Sequence, residues 1–129
     1  MKKQFIFFFL TICTMVQAQT NVVQLIPKPV ELQLATGVFT LTNDTTVSYD
    51  KPESEAIANI LTQRLNTPTG FSLKAQQGKM GIIRLNINAQ PNAELGTEGY
   101  TLDATPQGVT IAANQTAGLY YGEIGRAHV

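Results

Sequence analysis

Residues 100–113 read YTLDATPQGVTIAA, and this stretch decides the fold class. Tyr100, Leu102 and Ala104 alternate with polar neighbours, Thr105 to Gly108 supplies a turn, and Val109, Ile111 and Ala113 alternate back. A period of two places one apolar and one polar face on each strand, and a turn carrying Pro and Gly between two such runs is the signature of a hairpin. Strands with a single apolar face belong to an antiparallel or mixed sheet covered on one side.

The same period recurs upstream. Ile83, Leu85 and Ile87 within GIIRLNIN (residues 81–88) alternate with Arg84, Asn86 and Asn88. Phe71, Leu73 and Ala75 form another run, and Val47 with Tyr49 a short third. Val30, Leu32 and Leu34 alternate before the turn at Thr36-Gly37, and Phe39 with Leu41 continues the pattern on a returning strand. Pro27 and Pro29 remove amide donors ahead of it and hold that segment extended.

Residues 49–70, YDKPESEAIANILTQRLNTPTG, change the period. Ala56, Ile57, Ile60, Leu61 and Leu65 share one face at helical spacing. Asp50 is the expected cap, Pro52 suits the first turn, Glu53 and Glu55 sit at the positive end of the dipole, and Pro68 with Gly70 should stop the helix. Asn114 is the expected cap of a second helix whose stripe would be Thr116, Ala117, Leu119, Tyr120 and Tyr121. The expected fold is α+β: a two-layer sandwich of a mostly antiparallel sheet with two helices packed on one face.

The N-terminus, MKKQFIFFFLTICTMVQAQ, has Lys2 and Lys3 before an apolar core from Phe5 to Val16, and Val16-Gln17-Ala18 is acceptable to a signal peptidase. Residues 1–18 are therefore expected to be a signal peptide, with export to the periplasm or beyond the cell. The core is shorter than the roughly 20 apolar residues of a membrane span. Cys13 follows Ile12 rather than a small residue, so release is expected instead of lipid anchoring.

After cleavage no cysteine remains, so stability must come from packing rather than disulfides. The whole chain has nine basic and nine acidic residues. Loss of Lys2 and Lys3 tips the mature balance slightly acidic, without a basic run, which argues against nucleic acid or an anionic membrane as partner.

Candidate chemistry is sparse. The single histidine is His128, so a zinc cluster, a Ser/His/Asp triad and a Cys/His pair lack their parts. The glycines are isolated turn residues and form no phosphate loop. Glu53 and Glu55 read as helix-dipole residues, and Glu94, Glu98 and Asp103 as surface carboxylates. Tyr120 and Tyr121 could stack on a sugar ring, but adjacent helical residues diverge, so one core and one boundary position is expected. Asn43-Asp44-Thr45 and Asn114-Gln115-Thr116 match the glycosylation sequon by chance. No catalytic, cofactor-binding or metal-binding residue is assigned.

Two stretches carry a resemblance. LIPKPVELQLATGVFTL (residues 25–41) resembles the opening of bacterial beta-N-acetylhexosaminidases of glycoside hydrolase family 20. EGYTLDATPQGVTIAANQTAGLYYG (residues 98–122) resembles the end of the same N-terminal domain, where a Tyr-x-Leu strand, a Gly turn and an Ala-Gly-x-x-Tyr-Gly helix start recur. The likeness extends from Val22 to Gly122. It implies a non-catalytic domain, residues 19–122, placed before a (β/α)8 barrel where an Asp-Glu pair removes terminal N-acetylhexosamine with help from the substrate's own acetamido group. Such a barrel needs roughly 250 residues. The chain is then expected to be an inactive fragment, its partner the missing barrel and, through it, a glycan.

Residues 123–129, EIGRAHV, depart from that pattern. Ile124 to Val129 are what a widely used sequencing adapter encodes in one frame, followed by a stop. A non-native tail at a truncation point is expected, with the closing helix left short. The alternatives are a stand-alone exported glycan-binding or interaction module, or the same domain type from a family 84 or alpha-glucuronidase-like enzyme.

Overall fold

The computed structural model describes residues 29–126. The expected signal peptide at 1–18, Pro27 and His128 lie outside the described residues. The order of elements is β1 (Val47–Tyr49), a 3-10 turn (Pro52–Ser54), α1 (Glu55–Thr69), β2 (Ala75–Gln77), β3 (Ile83–Ile87), β4 (Tyr100–Thr105), β5 (Gly108–Ala113) and α2 (Thr116–Arg126). The five strands form one sheet in the order β2-β1-β3-β5-β4.

The hairpin forms as its pattern required, with Tyr100 opposite Ala113 and Thr105 opposite Gly108. Among the described residues it is the one antiparallel pairing. β1 pairs in parallel with both β2 and β3, and β3 in parallel with β5. The expectation of a mostly antiparallel sheet is therefore corrected: the sheet is mixed and mostly parallel, within an α+β fold of five strands and two helices. Alternation reports that one face of a strand is covered. It carries no information on direction, and here both helices lie on the same side of parallel strands.

That side is the core. Val47, Ile83 and Val109 align in register, as do Tyr49, Leu85 and Ile111, and all six are buried. Ile57, Ala58 and Leu61 of α1 and Leu119 of α2 close over them, joined at the rim by Phe39, Leu41, Leu65 and Ile87. Each fully buried Leu or Ile contributes about 1.5–3 kcal/mol. The opposite face is polar. The β2–β3 connection crosses it at Gly81, whose N–H donates to the buried Ser48 hydroxyl at 3.0 Å. Arg84 reaches from β3 to the Thr110 hydroxyl of β5 at 2.8 Å and to the Gly81 carbonyl at 3.1 Å.

Several local expectations change. Val30, Leu32 and Leu34 do not form a strand, nor do residues 38–41; Val30, Leu34 and Val38 are exposed, while Phe39 and Leu41 pack on the core rim. Phe71 and Leu73 precede β2 in irregular backbone. Leu73 is held by the Asn66 side chain, which accepts its N–H at 2.9 Å and donates to its carbonyl at 3.0 Å. A side-chain amide thus supplies the bonds that a neighbouring strand would have offered.

Helix α1 buries Ile57, Ala58, Leu61 and Thr62, so its inward face is rotated from the expected stripe and Ala56 is exposed. It runs through Pro68 and ends at Gly70, whose φ of 71° gives the left-handed turn that terminates it, with its N–H donated to the Asn66 carbonyl. Asp50 does not cap α1. Its carboxylate accepts the Ile87 N–H at 3.0 Å, because the intervening 3-10 turn carries the helix start away from it.

Helix α2 continues past Gly122 to Arg126. Gly118, Leu119, Gly122 and Glu123 are all buried, whereas Tyr120 and Tyr121 are both exposed. The expected core assignment for one of the tyrosines is corrected. The backbone lies so close to the hairpin that a Cβ on Gly122 would stand 2.6 Å from Ile111 Cγ2 and 3.0 Å from the Tyr100 ring. Residues two positions away around the helix turn outward.

Candidate functional site

The topology creates an opening at the carboxyl ends of the parallel strands. The chain leaving β1 travels outward toward β2 by way of α1, and the chain leaving β3 travels the other way toward β4. In open sheets the crevice between carboxyl ends whose connections diverge is where ligands are accommodated. A cleft of about 520 Å³ occupies that position. Asp50 and Lys51 reach it from the end of β1, Lys79 from the β2–β3 connection, Asn86 and Asn88 from the end of β3, and Ala112 from β5.

Its frame is hydrogen-bonded. The Asp50 N–H extends the β1–β3 ladder to the Leu85 carbonyl at 3.1 Å while its carboxylate takes the Ile87 N–H. The Gly78 N–H donates to the Tyr49 carbonyl at 2.9 Å and fixes the backbone ahead of Lys79. The Asn88 N–H donates to the Ala113 carbonyl at 2.8 Å, and its side chain donates to Asn114 at 2.9 Å. The cleft therefore presents ammonium and amide groups around one structural carboxylate. Among the described residues that line it, Asp50 is the single carboxylate.

Asn114 is a hub and not a cap. Its Oδ1 accepts from Asn88 Nδ2 and the Asn92 N–H, and its Nδ2 donates to the carbonyls of Asn92 at 2.7 Å and Gly96 at 2.8 Å. The side chain is spent on the 88–99 loop. The first turn of α2 instead directs its Gly118 and Leu119 N–H groups to the Gln115 carbonyl.

The carboxylates singled out from the sequence fall in three separate places. Glu53 in the 3-10 turn and Glu55 at the start of α1 are exposed, Glu94 and Glu98 are exposed in the 88–99 loop, and Asp103 is exposed on β4 opposite the helix side. Among the described residues no three His, Cys, Asp or Glu gather where they could hold a metal ion. No described helix is long and apolar enough to cross a membrane. Tyr120 and Tyr121 touch edge to face, with ring centroids 6.1 Å apart. Asn43 accepts the Ser72 N–H at 3.1 Å and ties the segment before β1 to that before β2.

The ion pair between the helices had no visible sequence signal. Glu123, at the expected junction between domain and tail, is only 1% exposed, and Arg64 of α1 approaches it at 3.1 Å. Their positions lie on different helices far apart in the chain, so no spacing rule links them.

Comparison with known proteins gives a consistent result. Residues 22–123 match the family model described as glycosyl hydrolase family 20, domain 2. A beta-hexosaminidase of Porphyromonas gingivalis is 27% identical over 101 residues, covering 78% of this chain and 13% of that protein. The structure of Streptomyces plicatus N-acetyl-beta-hexosaminidase in complex with Thio-NAglucal superposes with a TM-score of 0.61 at 32% identity, over 70% of this chain and 18% of the other. Flavobacterium johnsoniae chitobiase shares the fold, with a TM-score of 0.63 at 22% identity over 79% of this chain and 17% of its own. The chain thus spans between 13% and 18% of the length of these relatives.

Proposed function

Since the chain belongs to the glycosyl hydrolase family 20, domain 2 family, we propose that it is the accessory N-terminal domain of an exported beta-N-acetylhexosaminidase, working as part of a longer polypeptide that carries the catalytic barrel. The observation that carries this reading is the family match over residues 22–123, which takes in every strand and all but the end of α2. The placement of its acidic residues supports a non-catalytic part: Glu53 with Glu55, Glu94 with Glu98, and Asp103 are exposed in three separate places.

In this reading the hydrolysis of terminal N-acetylhexosamine from glycans belongs to an Asp-Glu pair on the barrel, and the domain contributes a rigid mixed sheet with its helices on one side. Export rests on the basic start and apolar core of residues 1–18.

A long read across the codon for Gly122 in the source DNA tests the proposal, followed by expression of the continuous frame and assay on a chromogenic N-acetyl-beta-glucosaminide. A frame that runs into a barrel with an Asp-Glu pair and hydrolyses the substrate is the expected result. A native stop after Val129, or a longer frame inactive on N-acetylhexosaminides, would sink the hexosaminidase reading. The first of those outcomes would leave a stand-alone module. N-terminal sequencing of the exported product should begin at Gln19, and an uncleaved or cytoplasmic product would refute export.

A further inference from the structure

We propose that the cleft at the carboxyl ends of β1 and β3 is a binding site for an acidic saccharide, a sugar unit bearing a carboxylate or sulfate. Two independent observations meet there: the divergence of the connections from β1 and β3, which needs no side chains to establish, and a cavity of about 520 Å³ at that same place. Ligand pockets of this kind span roughly 300–1,000 Å³, so the cleft has room for a disaccharide.

The charge follows from which groups remain uncommitted. Lys51 and Lys79 line the cleft and neither makes an ion pair among the described residues. The sole carboxylate lining it, Asp50, already accepts the Ile87 N–H, so one of its lone-pair directions is taken by the frame. Asn86 lines the cleft without a side-chain hydrogen bond among the described residues. Two ammonium groups beside one carboxylate leave the cleft net positive in a chain whose overall formal charge is zero.

Charge-assisted hydrogen bonds from the lysines would hold an anionic substituent. The Asn86 amide can both donate to and accept from ring hydroxyls or an acetamido group, while Ile87, Ala89 and Ala112 offer the apolar contact that sugar C–H faces need. No aromatic ring among the described residues lines the cleft, so the affinity is expected to be modest, in the millimolar range or somewhat tighter. The sugar rests on the glycan reading given above, whereas the charge rests on the cleft alone.

The test is a two-dimensional NMR titration of the full chain with three probes: a hexuronate-containing disaccharide of N-acetylgalactosamine, neutral N,N′-diacetylchitobiose, and sodium sulfate. The acidic disaccharide should shift the amides of residues 50–51, 79, 86–89 and 112 together. The neutral disaccharide should bind about tenfold more weakly, and the double variant Lys51→Gln/Lys79→Gln should lose the acidic preference while keeping a dispersed spectrum. Absence of localised shifts with the acidic disaccharide overturns the site. Equal binding of the neutral sugar, or an unchanged titration in the double variant, overturns the ionic selection. Sulfate alone reproducing the shifts at the same concentration would mean an adventitious ion only. Because the readout is binding by this chain, it fails or succeeds independently of hydrolysis by a longer frame.

Discussion

Gly118→Ala sets two physical rules against each other. Helix propensity favours Ala over Gly by about 1 kcal/mol in a helix interior, and Gly118 lies within α2. Packing opposes the change. A Cβ at position 118 would collide with the Gly99 carbonyl oxygen and stand 2.8 Å from the Ala113 Cβ. Neither neighbour can turn aside. The Gly99 N–H is donated to the Leu95 carbonyl at 2.8 Å, and Ala113 is fully buried between β3 and β4. Overpacking a site whose walls are backbone costs about 1–3 kcal/mol, and the direct clash with a carbonyl places this case toward the upper end. The net expectation is destabilisation by about 1–2 kcal/mol, a fall in melting temperature of about 4–16 °C for a domain of this size. Thermal unfolding followed by far-ultraviolet circular dichroism, with urea curves of unchanged slope, measures it. A variant that melts higher than the parent would show that propensity wins and that α2 does not sit against the hairpin at this distance.

Other substitutions probe separate parts of the argument. Ser54→Ala should stabilise the domain slightly, by up to about 1 kcal/mol, because the Ser54 hydroxyl is fully buried without a partner and makes no cap bond; a loss of about 1 kcal/mol in urea unfolding, the usual result for an N-cap serine, would contradict this. Asn114→Ala removes the four bonds that hold the 88–99 loop and should cost about 2–3 kcal/mol while speeding limited proteolysis between residues 89 and 99. Proteolysis at the parent rate would refute the hub assignment. Arg64→Met should destabilise more than Glu123→Gln, since the first strips a positive charge from a buried carboxylate and the second removes the charge itself; the reverse order in chemical denaturation would overturn the pairing. Tyr120→Ser/Tyr121→Ser should change the stability of this chain by less than about 1 kcal/mol, because both rings are exposed, and a larger loss would place one of them back in the core.

Much of the architecture was legible along the chain. The hairpin at 100–113 formed where expected because a period of two and a Pro-Gln-Gly turn specify it locally. Helix α1 formed because its apolar spacing and the glycine beyond it agree. The likeness of residues 98–122 to a family 20 domain also held, since that stretch joins a strand, a turn and two sheet-facing glycines that packing constrains together.

Other features depend on groups that meet only after folding. The parallel direction of β1, β2, β3 and β5 depends on how the connections cross, and alternation is the same for either direction. The role of Asp50 was hidden because a helix cap and a cross-strand acceptor need the same residue type, and only the placement of β3 decides between them. Val30, Leu32 and Leu34 show the converse limit: a strand pattern forms no strand unless a partner edge takes up its backbone bonds. The cleft was equally invisible, for Asp50, Lys51, Lys79, Asn86, Asn88 and Ala112 come from four strand ends brought together by the sheet order. Local physics, acting over a few residues, determined the hairpin, the helix and the one-sided faces from sequence alone. Strand direction, the close seating of α2 on glycines, the Arg64–Glu123 pair and the cleft were decided by tertiary structure, because each depends on the spatial meeting of groups whose separation along the chain carries no energy.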